Sequence, residues 1–130
     1  MGRKQIHSHT ELIVYQRSFD LSMRIFQLSK GFPNEERFAL TDQIRRSSRA
    51  VCANLAEAWQ RRRYRRSFIS RLNDAEAELA ETQTWLQFAA ACAYLELELA
   101  SQLRNDYQGL SIALASMIIH ADNWLLPVPE

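Results

Sequence analysis

Residues 68–93 read FISRLNDAEAELAETQTWLQFAAACA. Phe68, Leu72, Ala75, Leu79, Thr82, Leu86, Ala89 and Ala93 recur at steps of three and four, so at 100° per residue they fall on one side of an α-helix. Their spacing is close to a heptad seam, with small residues set between large ones. Upstream, Leu40, Ile44, Val51 and Leu55 define a second apolar face, opposite Asp42, Arg45, Arg46 and Arg49. Further back, Leu12, Tyr15, Phe19, Met23 and Phe26 define a first helix. Lys30, Gly31, Phe32 and Pro33 close it, with Gly31 expected at positive φ. Asn34 is then expected to cap the next helix, with Glu35 and Glu36 at the positive end of its dipole. Downstream, Leu99, Leu103, Tyr107, Leu110, Leu114, Met117, Ala121 and Trp124 predict a fourth helix that ends before Pro127. Gly109 inside it predicts a close helix contact.

No Gly or Pro separates the second helix from the third. Joined, they would make a rod on the order of 85 Å, too long for a domain of this size. The chain must therefore turn, and Gln60–Arg66 is the expected place, since the apolar rhythm lapses there and like charges crowd together. A further break is expected near Cys92–Glu98. The prediction is an all-α, antiparallel up-down-up-down four-helix bundle over residues 11–126. A disordered or extended arm is expected at 1–10 and a tail at 127–130.

Composition narrows the function. The chain has 130 residues, 47% of them hydrophobic, enough for one core. Every apolar run is cut by charge before the roughly 18 residues of a membrane span, and Met1–Thr10 carries no secretory pattern. A soluble, cytoplasmic protein is expected. His7, His9 and His120 lie near the two ends, outside any Glu-x-x-His unit, so no metal site is predicted. Phosphate-cradling glycine loops are missing, and no cofactor or catalytic residue is predicted. Cys52 and Cys92 are expected as reduced, buried thiols, and His120 as a cation near a helix C-terminus. The carboxylates Asp74, Glu78 and Glu81 read as a solvated face.

Charge is distributed unevenly. Between Gln43 and Arg71 lie nine arginines and one acid, Glu57; from Leu72 onward nine acids oppose Arg104 alone. A net charge of +1 thus hides segments of +8 and −8. Arg45, Arg46, Arg49, Arg61, Arg62, Arg63, Arg65 and Arg66 form a candidate surface for nucleic acid, because the guanidinium fork suits bidentate phosphate contact. Trp59 and Tyr64 are candidates for stacking on unpaired bases, which favours RNA or another single strand. Neutralisation by the acidic segment of a neighbouring subunit, or a purely solubilising role, are the alternatives.

Three helices carry a second apolar stripe: Leu21, Ile25 and Leu28 on the first, Trp85 and Phe88 on the third, Ile112 and Ile119 on the fourth. These predict a homo-oligomer interface. A non-enzymatic oligomeric bundle that binds RNA or single-stranded nucleic acid is the preferred reading. The alternative is a homo-oligomeric protein-interaction scaffold without nucleic-acid binding.

The order Phe32-Pro33-Asn34-Glu35-Glu36-Arg37-Phe38, Gln43-Ile44-Arg45-Arg46, Asn54-Leu55-Ala56-Glu57, the arginine cluster and Glu81-Thr82-Gln83 resembles a bacterial family. Its members are four-helix-bundle proteins first noticed as reading frames inside 23S rRNA intervening sequences. The resemblance spans about Leu12 to Trp124. It implies a left-handed bundle assembling into a ring-like homopentamer. The family is also similar to the accessory proteins of diversity-generating retroelements, which are pentameric, basic and associated with nucleic acid.

Overall fold

Helix α1 runs Ile13–Ser29 and buries Ser18, Leu21, Ser22, Ile25 and Ser29. Phe19 and Met23, assigned to the core by hydropathy, are instead 48% and 44% exposed. Serine explains the reversal. The Ser22 hydroxyl donates to Ser48 Oγ of the neighbouring helix at 3.2 Å, and the Ser18 hydroxyl to the Val14 carbonyl at 2.7 Å. Hydroxyls bonded in this way are buried at little cost, and their small size lets two backbones approach where aromatic rings would not fit. Leu21 and Ile25, expected at a subunit interface, therefore belong to the core of the protomer.

The computed structural model describes residues 5–127; residues 1–4 and 128–130 of the expected arm and tail lie outside the described residues. Part of the arm is shaped rather than extended: His9–Glu11 form a 3-10 turn, and Ile6 packs against the core. After α1, the amides of Lys30, Gly31 and Phe32 each reach back three residues to a carbonyl. These tightened bonds close the helix, and Gly31 stays at negative φ. Asn34 does not cap a helix but opens a 3-10 turn, Asn34–Glu36. Helix α2, Leu40–Gln60, starts after Ala39 breaks the chain direction at φ −121° and ψ −106°.

Helix α2 buries Leu40, Ile44, Val51 and Leu55 together with Ser47, Ser48 and Trp59. Helix α3, Arg65–Ala91, buries the expected seam from Phe68 through Ala89. The two join through the Thr82 hydroxyl, which donates to Ser47 Oγ at 2.8 Å, and through an ion pair of Arg71 with Glu57 at 3.1 Å. The chain leaves α3 by a Schellman motif in which the Tyr94 amide reaches the Ala89 carbonyl and the Ala93 amide that of Ala90. Ala93 holds the left-handed position usual for glycine, at φ 62°. Cys92 caps this end and is exposed, not buried.

Helix α4, Leu97–Ile119, buries Leu103, Tyr107, Leu110, Leu114 and Met117. It stops before Ala121 and Trp124, which belong to a separate 3-10 turn, Ala121–Trp124. Gly109 faces open space, so nothing inside the protomer demands a glycine there. Each helix packs on its neighbours in chain order, and α4 returns to α1 through Arg24 and Asp106 at 3.5 Å. The pairs Ser22–Ser48 and Arg45–Ser29 run in opposite senses along the chain, as do Ser47–Thr82 and Glu57–Arg71, so both helix hairpins are antiparallel. All four helices enclose one hydrophobic core.

Candidate nucleic-acid interface

Helices α2 and α3 are joined by a very short link. The Arg61 amide bonds the Ala58 carbonyl at 2.9 Å and ends α2; the Tyr64 amide bonds the Arg61 carbonyl at 3.0 Å and sets up α3. So tight a turn throws successive side chains outward at one end of the bundle. Arg61, Arg63, Arg65 and Arg66 are exposed there, and Tyr64 is 69% exposed. Arg63 and Arg66 have no hydrogen bond or ion pair among the described residues, and Arg61 has only a long contact to Ser67 Oγ at 3.5 Å.

Two arginines of this turn are held. The Arg62 Nε donates to the Trp59 carbonyl at 2.8 Å, with its guanidinium 3.4 Å above the centre of the Trp59 ring. Burial lowers the Arg62 pKa, but guanidinium remains a cation at any physiological pH. The Arg65 Nε donates to Asp122 Oδ1 at 2.7 Å. Trp59 is only 4% exposed, covered by Arg62 and set 6.4 Å from Trp124, so it serves the core and not base stacking. Tyr64 keeps an open ring.

Arg45, Arg46 and Arg49 sit higher on α2. Arg45 donates Nε–H to Ser29 Oγ at 2.8 Å, and with Arg49 and Lys30 it surrounds the Phe26 ring at 4.8 to 5.6 Å. Arg46 and Arg49 border a groove shared with Glu78 and Glu81 of α3. There the Glu78 pKa is raised, by burial first and by Glu81 second, and Arg46 pulls against that rise. Anion binding at this groove would meet two carboxylates. The expected arginine surface thus divides into an open turn and a partly neutralised flank.

Of the expected interface residues besides Leu21 and Ile25, Leu28 and Trp85 are half-buried, while Phe88, Ile112 and Ile119 are exposed. The Trp85 Nε1 donates to Glu81 Oε1 at 3.3 Å. His120 ends α4 with Nδ1 at 2.9 Å from the Ser116 carbonyl. Among the described residues no group of three potential metal ligands gathers, and no helix is long and apolar enough to cross a membrane.

The charge pattern did not reveal the part played by the C-terminal segment. The Leu126 amide donates to the Arg62 carbonyl at 3.0 Å, and Asp122 and Trp124 touch the same turn. The sequence signal was present in an acid and a tryptophan shortly before Pro127, but hydropathy placed Trp124 on α4.

No curated protein matches the chain. Among solved structures, it is similar to a protein of unknown function from the S23 ribosomal protein family of Bacteroides thetaiotaomicron, determined at 1.70 Å. The two share 34% identity and a TM-score of 0.74, over 82% of this chain and 95% of that one. The family model of the 23S rRNA-intervening sequence protein matches residues 10–116. Sequence, helix order and this match agree, and the chain belongs to the 23S rRNA-intervening sequence protein family.

Proposed function

We propose that this protein is a non-enzymatic, homo-oligomeric RNA-binding module of the cytoplasm whose contact surface is the α2–α3 turn. The observation that carries the reading is the set of exposed arginines at one end of the bundle, of which, among the described residues, only Arg65 is paired with a carboxylate. Lysine is missing from this turn, so every cation there can form a two-pronged phosphate contact. The exposed Tyr64 ring adds a face on which an unpaired base can stack. The family's link to rRNA supports RNA as the polyanion.

The test is a gel-shift and salt titration with single-stranded rRNA fragments. Five turn arginines engaging five phosphates give a log K against log salt slope of roughly −3.5, and changing Arg61, Arg63 and Arg66 together to Ala flattens it by about 2. Unaltered retention of the triple variant at moderate salt would remove the reading.

Self-association rests on exposed Phe88, Ile112 and Ile119, joined by Phe19 and Met23 in place of Leu21 and Ile25. The pentamer implied by the family resemblance would sediment as five copies of the 15.1 kDa chain. A mass near one copy would reject assembly.

A further inference from the structure

Arg45, Arg62 and Arg65 share one geometry. Each donates Nε–H to a fixed acceptor, Ser29 Oγ, the Trp59 carbonyl and Asp122 Oδ1 respectively. A bond at Nε fixes the guanidinium plane and leaves its terminal Nη1 and Nη2 edge unused, which is one of the two edges that grip an oxyanion bidentately. Arg71 is the contrasting case, since both its Nε and Nη1 are taken by carboxylates. Arg63 and Arg66 have neither anchor nor partner among the described residues.

At the turn both anchored arginines are tied to the C-terminal segment. Asp122 holds the side chain of Arg65, the Leu126 amide holds the backbone of Arg62, and Trp124 lies against the ring under the Arg62 guanidinium. We propose that Arg62 and Arg65 form a preorganised phosphodiester-binding pair and that Asp122 is its positioning residue. The remaining turn arginines engage further phosphates only by ordering as the strand binds. The inference rests on the RNA reading above and names the part of that surface that is built before RNA arrives. Ordering a long side chain opposes binding, and for these two arginines folding has already done the ordering.

The experiment uses the full chain and a fluorescein-labelled dodecauridylate, read by anisotropy at fixed salt. Asp122→Asn and Asp122→Ala make the same change in charge, but only Asn keeps an oxygen for Arg65 Nε. Asp122→Ala is expected to bind roughly two- to tenfold more weakly than Asp122→Asn, the cost of immobilising one such side chain. Arg62→Lys and Arg65→Lys, which keep charge and lose the fork, are expected to lose more affinity than Arg63→Lys and Arg66→Lys. Circular dichroism confirms that each variant is folded. Equal binding by the two Asp122 variants, with equal losses at all four arginines, overturns the pair while leaving RNA binding intact. Failure of the unmodified protein to bind in a salt-dependent way overturns both. Polyglutamate competing as well as RNA of equal charge would assign the pair to an acidic protein and overturn the phosphate assignment.

Discussion

Cys52 is half-buried on α2, and that burial pushes its thiol from an ordinary value near 9 to about 11. The Tyr107 hydroxyl on α4, buried without a partner among the described residues, is also pushed up, by burial and then by the Cys52 charge. Both groups hold their protons to higher pH when folded than when unfolded. Between pH 9 and 11 the unfolded chain therefore binds fewer protons, and stability falls as pH rises. The thermal midpoint is expected to drop across that interval, and to drop less steeply in Cys52→Ala. Identical pH slopes for the two proteins would refute a burial-driven shift at Cys52. The spacing placed both residues toward the core, but the missing hydroxyl partner and the half-covered thiol were not legible, because they depend on how the packed helices surround each group.

At the scale of elements, α1 is the informative case. Its buried face is built on serines that touch α2, so Ser22→Leu is expected to overpack the seam and destabilise the protein by about 1–3 kcal/mol in urea unfolding. A neutral result would mean that the helices do not approach closely. The seam of α3 was readable from spacing because large aliphatic residues recur there without rivals. On α1 two stripes compete, and hydropathy favours the aromatic one, whereas the decisive physics is the volume available beside Ser48. The turn between α2 and α3 was likewise readable, from loss of apolar rhythm among like charges. The places of the closures at Gly31 and Ala93 were readable too, but their geometry was not, because local bonding to freed carbonyls replaced the expected glycine geometry at one and placed alanine in it at the other.

In the whole molecule, the opposed charge of the two halves of the chain does not become two distant poles. Helices α2 and α3 make the most extensive contact in the bundle, which brings acids beside arginines: Arg71 meets Glu57, and Arg46 lies near Glu78. What remains largely uncompensated among the described residues is the turn, where Asp122 alone pairs with one of five arginines. That same turn closes the hairpin on which folding is expected to nucleate, because its contacts are both the most extensive and local in sequence. Bringing five guanidinium groups together must therefore slow the rate-limiting step at low ionic strength. Added salt is expected to speed refolding in stopped-flow measurements, and Arg61→Ala with Arg63→Ala to reproduce that gain without salt. A refolding arm indifferent to both would place the barrier elsewhere. If it responds, a nascent chain meeting a polyanion would fold faster because of it, and the ligand would act as a chaperone for its own receptor.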